Sequence, residues 1–184
     1  MERARNAYAR SLAAAALICI STPVWANPEA GDSELQLGAG FFHAQDSDSG
    51  TLTGDASYGY FLSEMVEVGI RQGISAQFIE SARDQWNLTT IPFVDVHFTD
   101  LFGENSTAVP FVGAFAGAVY NDQDATGTLG PNAGIKFFLT EEAFLVTRYR
   151  YEWFFDELDL DDVTDESSNG NHVVNIGLGV MWGP

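Results

Sequence analysis

The sequence predicts an all-β fold, an eight-stranded antiparallel up-and-down transmembrane β-barrel. Three observations predict it. Eight stretches of similar length alternate apolar and polar residues with a period of two, the repeat of a strand and not of a helix. Glycines and charged residues share one register of that alternation, and aliphatic and aromatic residues fill the other. Aromatic residues also gather at the ends of the stretches, where a membrane barrel carries its two interfacial girdles.

The N-terminus is read apart from the fold. Arg3, Arg5 and Arg10 form a basic region, residues 12–20 (LAAAALICI) a short apolar one, and Val24-Trp25-Ala26 fits the small-x-small cleavage rule. Residues 1–26 are therefore expected to be a cleaved secretory signal peptide, and residues 27–184 the barrel domain. The apolar run is too short to span a bilayer. Cys19, the only cysteine, leaves with the signal, so thiol chemistry and disulfides are not expected. The whole chain carries 8 basic and 26 acidic residues. Losing Arg3, Arg5, Arg10 and Glu2 leaves 5 and 25, a net charge of −20. Phosphate binding needs a basic patch, so nucleic acid is not an expected partner. With 46% hydrophobic and 13% aromatic residues the chain is not of the disordered class.

The predicted strands are 33–44, 51–62, 65–78, 85–98, 108–120, 128–139, 143–155 and 171–182. In the first, Leu35, Leu37, Ala39 and Phe41 oppose Gln36, Gly38 and Gly40. The second sets Leu52, Ala56, Tyr58, Tyr60 and Leu62 against Asp55, Ser57 and Gly59. In the third, Val66, Val68 and Ile70 oppose Glu67, Gly69, Arg71 and Gly73. In the fourth, Trp86, Leu88, Val94, Val96 and Phe98 oppose Asp95 and His97. The fifth is apolar in both registers, and its pattern leaves its orientation open. The sixth sets Ala133, Ile135, Phe137 and Leu139 against Asn132, Gly134 and Lys136. In the seventh, Leu145, Tyr149, Tyr151, Trp153 and Phe155 oppose Arg148, Arg150 and Glu152. In the eighth, Val174, Ile176, Leu178, Val180 and Trp182 oppose Asn175, Gly177 and Gly179.

Two architectures share this alternation. A soluble lipocalin-like ligand-binding barrel puts the apolar register inside, and a membrane barrel puts it outside. Charge decides between them. Arg71, Lys136, Arg148 and Arg150 share a register with Asp55, Glu67, Asp95 and Glu152, four cations against four anions in a strongly acidic chain. A solvated face has no need to collect the few cations available. A buried one does, because unpaired buried charge costs several kcal/mol. Glycine in the same register makes room for these side chains in a lumen that eight strands barely open. Tyr60, Trp86, Phe98, Phe137, Tyr151, Trp153 and Trp182 are then the expected lipid-interface aromatics. At about 3.3 Å per residue and a tilt near 40°, strands of about 11–13 residues rise roughly 28–33 Å, enough for the apolar band and both girdles.

Short connections follow the second, fourth and sixth strands, although 99–107 is longer than a membrane barrel prefers there. Longer polar ones, 45–50, 79–84, 121–127 and 157–170, follow the others. Strand number, alternation, loop asymmetry, the charged register and the aromatic-ended final strand NHVVNIGLGVMW together resemble the small eight-stranded outer-membrane β-barrel proteins of Gram-negative bacteria, the OmpA/OmpX-like group. The resemblance covers about residues 33–182. It implies a monomer in the outer membrane, with the long loops outside the cell. It implies contact with outer-membrane lipid and lipopolysaccharide, and passage through periplasmic chaperones and the barrel-insertion machinery. Gly183-Pro184 depart from the pattern, in which the chain ends on the aromatic residue. A peptidoglycan-binding domain is not part of the resemblance.

The expected role is structural or surface-interacting: membrane integrity, adhesion, or loop-mediated ligand contact. The ion network is expected to plug the lumen and not to line a pore. A lipid A-modifying enzyme is the alternative, and His97 and His172 are the residues to test, but neither comes with an evident serine nucleophile and base. No cofactor is expected. Glu157, Asp159, Asp161, Asp162, Asp165 and Glu166 form an oxygen-rich run that suits weak Ca²⁺ or Mg²⁺ contact, without the glycine and spacing of an EF-hand.

Overall fold

The computed structural model describes residues 28–43, 50–78, 85–103, 106–120, 125–155 and 171–184. The signal peptide, most of the longer connections and the acidic run at 157–166 lie outside the described residues. Eight strands form one closed barrel. They are β1 (Ser33–His43), β2 (Gly50–Phe61), β3 (Val66–Phe78), β4 (Gln85–His97), β5 (Ala108–Tyr120), β6 (Ala125–Phe138), β7 (Ala143–Phe155) and β8 (Asn171–Trp182). Each pairs antiparallel with the next. β8 returns to β1 from Ser33↔Trp182 to Ala39↔Ile176, and this ladder closes the sheet at the end nearest the short turns.

The predicted and observed strands agree within a residue at each end except at the start of β6. The polar run 121–127 was expected to be a connection. Instead the hairpin persists: Ala125 pairs with Tyr120, and Gly127 pairs with Ala118 on one side and Phe155 on the other. Two of the short turns share one device. Ser63 Oγ accepts from the amide of Val66 at 3.1 Å, and Thr140 Oγ1 accepts from the amide of Ala143 at 2.9 Å. A hydroxyl bonding its own backbone in this way closes a turn locally.

The burial pattern is that of a barrel turned inside out. Leu37, Ile74, Val174, Ile176 and Leu178 are 53–64% exposed on the outer face, whereas Glu67, Asp95 and Lys136 are 0% exposed. β5, which its sequence left unoriented, turns Val109, Phe111 and Phe115 inward and Val112, Ala114 and Ala116 outward. The lumen is therefore not only polar and glycine-rich, as the register predicted. Phe61, Phe93, Phe111, Phe115, Phe138 and Phe144 also fill it. Four of these rings stand directly opposite a glycine of the paired strand: Phe93 faces Gly69, Phe111 faces Gly134, Phe115 faces Gly130 and Phe144 faces Gly179. A Cβ at Gly134 would run into the Phe111 ring, and one at Gly179 into the Phe144 ring. These glycines make room for phenylalanine as well as for charge.

Candidate functional site in the barrel lumen

All eight predicted lumen residues point inward, but they do not form one network. They separate into three tiers. Nearest the short turns, Lys136 Nζ lies 2.5 Å from Glu34 Oε2 and 3.1 Å from Glu67 Oε2. His97 Nε2 shares Glu67 Oε2 at 2.8 Å, and Gln36 Nε2 donates to Glu34 Oε1. The Phe61, Phe144 and Phe111 rings surround the ammonium, with centroids 5.1, 5.2 and 5.8 Å from it. Two carboxylates and three ring faces together offset the desolvation of the buried lysine.

In the middle tier, Arg148 Nη2 lies 3.5 Å from Asp95 Oδ2, and Asn132 Nδ2 donates to Asp95 Oδ1 at 3.0 Å. Arg148 also donates to Gln36 at 3.2 Å, which joins this tier to the one below. Its guanidinium carbon stands 4.9 Å from the Phe111 ring centre. In the third tier, toward the long connections, Arg150 Nε is 3.1 Å from Glu152 Oε1. Arg71 Nε approaches Asp55 Oδ2 only to 4.0 Å, and Asn175 donates to Asp55 at 3.3 Å.

Two expectations need correction. The four-against-four balance omitted Glu34, which is 1% exposed and is a direct partner of Lys136. It occupies the register of Gln36 and Gly38. It was missed because it precedes the first apolar residue of the strand's alternation. The lumen is also not filled evenly by an ion plug. The half nearest the short turns is packed by charge and phenylalanine together. The half nearest the long connections holds a cavity of about 610 Å³, lined by strand-end residues such as Thr53, Ser75, Asn87, Thr126 and Asn171.

Outside, Tyr60, Trp86, Phe137 and Trp182 are 41–45% exposed, and Phe98, Tyr151 and Trp153 are partly so. The Tyr58 and Trp182 rings lie 6.4 Å apart at the turn end. Polar groups on this face find each other: Thr90 Oγ1 donates to Gln72 Oε1 at 2.8 Å and meets Tyr120 Oη at 3.1 Å, and Tyr149 Oη meets His172 Nδ1 at 2.6 Å. The two histidines therefore lie on opposite faces of the wall, His97 against Glu67 in the lumen and His172 against Tyr149 outside. Among the described residues no group of three or more His, Cys, Asp or Glu side chains is placed to hold a metal ion.

The architecture can be compared with solved structures. The outer membrane protein OprG of Pseudomonas aeruginosa superposes with a TM-score of 0.59 at 11% identity, over 88% of this chain and 100% of that one. The fold is that of the small outer-membrane β-barrels. Neisserial surface protein A matches with a TM-score of 0.51 at 13% identity, over 82% of this chain and 94% of its own. Ail, the attachment invasion locus protein of Yersinia pestis, matches at 0.50 and 13%, over 84% of this chain and all of that one. No protein-family model matches the sequence, and no curated protein is significantly similar to it. At these identities the likeness is one of fold.

Proposed function

We propose that the protein is an integral outer-membrane barrel with a structural or surface-interaction role. The observation that carries this reading is the inversion of burial: leucine, isoleucine and valine outside, arginine, lysine, glutamate and aspartate inside. In water such an exterior is an aggregation liability, and in a bilayer it is the favourable face. The long connections face the cell exterior and supply the contacts for membrane integrity, adhesion or an external ligand, with lipopolysaccharide and bridging Ca²⁺ or Mg²⁺ around them. The monomer reaches the membrane through periplasmic chaperones and the barrel-insertion machinery. The role is read as non-catalytic: His97, against Glu67 in the lumen, and His172, against Tyr149 outside, lie on opposite faces of the wall and make no joint site. The packed tier around Lys136 blocks flow through the lumen.

Membrane residence is tested by fractionation and gel migration. The protein is expected in the outer-membrane fraction, migrating differently before and after heating. Recovery in the soluble periplasm would overturn the reading. In planar bilayers the protein is expected to give no steady single-channel steps. Large, stable steps would show that the packed tier does not seal the lumen.

A further inference from the structure

We infer that the connection between β4 and β5 is a membrane-surface anchor: Leu101 and Phe102 insert among the headgroups of a zwitterionic leaflet at the short-turn end. The inference rests on residence of the barrel in a bilayer, and adds a contact that the lipid-facing strands do not make. It starts from the connection that is longer than barrel closure needs. The other two turns on this rim have polar tips, Ser63-Glu64 and Thr140-Glu141-Glu142. The β4–β5 turn instead presents Leu101 and Phe102, 64% and 61% exposed. Apolar residues scattered singly over a surface need no explanation, but these two are adjacent at one tip.

The turn holds them in a fixed conformation. The Gly103 amide donates to the Asp100 carbonyl at 3.1 Å, and the Ser106 amide to the Gly103 carbonyl at 3.0 Å. Gly103, at φ 99°, turns the chain back in a conformation that a residue with a side chain rarely adopts. A Cβ there would meet nothing within 4 Å, so the tip stands clear of the wall.

Continuity with the lipid-facing band selects the occupant. On the outer face the apolar register runs past the girdle aromatics into the turns: Leu62 follows Tyr60 and Leu139 follows Phe137, one outward step further on. Both leucines keep strand geometry, because their amides donate to the carbonyls of Val66 and Ala143 at 2.8 Å. Leu101 and Phe102 follow Phe98 in the same way on the third turn. All three described turns on this rim thus extend the apolar surface beyond the girdle, into the layer where monotopic segments bury their apolar side chains. Charge sets the lipid. Glu64, Asp100, Glu141 and Glu142 are exposed on the rim, whereas every described Lys and Arg lies in the lumen. An anionic surface would repel such a rim, and a zwitterionic one does not.

The test is depth-dependent quenching in phosphatidylcholine vesicles. The full chain carries Trp25→Phe, Trp86→Phe, Trp153→Phe and Trp182→Phe, with one tryptophan restored as Phe102→Trp or, as the reference, Ile176→Trp in the apolar band. Heat-modifiable migration reports folding. The tryptophan of Phe102→Trp is expected to be quenched by lipid brominated near the acyl carbonyl and shielded from aqueous iodide. Quenching by iodide with none by the brominated lipid would overturn the anchor, leaving the tip in water as a surface for a protein partner. Loss of lipid quenching in Ile176→Trp as well would overturn membrane residence, and the anchor with it. Should the tryptophan-free chain fail to refold, Phe102→Cys in a Cys19→Ser chain, labelled with a small fluorophore, decides by the same two quenchers.

Discussion

At the scale of single residues, the lumen is decided by Lys136. It is fully buried, holds Glu34 and Glu67, and sits among three phenylalanine rings. Removing one member of a buried ion cluster leaves the others charged and unpaired. Lys136→Met should therefore cost about 3–5 kcal/mol in urea unfolding of the refolded barrel. Combining it with Glu34→Gln should recover part of that loss, because the stranded charge is removed as well. No recovery would mean that the cost comes from packing against Phe61, Phe111 and Phe144. Lys136 was legible in the sequence because it sits in a clean alternation between Ile135 and Phe137. Glu34 was not, although it shares the register, because the apolar pattern that defines the strand begins only after it. Which carboxylate meets which cation was not legible at all. Partners such as Lys136 and Glu34 lie 102 positions apart, and only closure of the barrel brings them together.

At the scale of the strand, one alternation has to serve two solvents. On β8, Ile176 is 60% exposed and pairs with Ala39 on one side and Thr147 on the other, midway along the wall. Ile176→Arg puts a cation into the apolar band and should cost about 2–4 kcal/mol at the bilayer midplane, measured as unfolding free energy in lipid vesicles. The same variant unfolding like the parent would contradict a lipid-facing β8. The inner register has its own constraint, the glycine that takes an opposing ring. Gly134→Leu should prevent Phe111 from lying across β6 and give a barrel that refolds poorly or migrates without heat modification. A fully heat-modifiable Gly134→Leu barrel would show that Phe111 can move aside. This pairing explains part of what the sequence concealed. Glycine in a charged register suggests room for charge, whereas at Gly69, Gly130, Gly134 and Gly179 the occupant is a phenylalanine from the neighbouring strand. The orientation of β5 was hidden for the same reason: both its faces are apolar, and only the position of Gly134 and Gly130 across the ladder distinguishes the ring-bearing one.

At the scale of the whole molecule, the lumen is divided along its length. Toward the short turns, Phe61, Val109, Phe111, Phe138, Phe144, Val146 and Met181 form one buried cluster around Lys136. Toward the long connections, Phe154 and Val173 border the cavity beside Arg150 and Asn175. The same type of truncation should therefore have different consequences at the two ends. Phe111 is 1% exposed and touches both cations of the packed half, so Phe111→Ala opens a void that its charged neighbours cannot collapse into without losing their pairs. Its cost is expected at about 3–5 kcal/mol. Phe154 already borders empty space, so Phe154→Ala enlarges an existing cavity, and its cost is expected near 1 kcal/mol. Urea unfolding of both variants in the same vesicles makes the comparison. Phe111 and Phe154 both stand in paired strands, opposite Gly134 and Thr128 of β6, so a difference between the two truncations reports how the lumen is filled around each ring. Equal costs would mean that stability resides in the ladder and the lipid-facing band, and that the packed half seals the barrel without stabilising it.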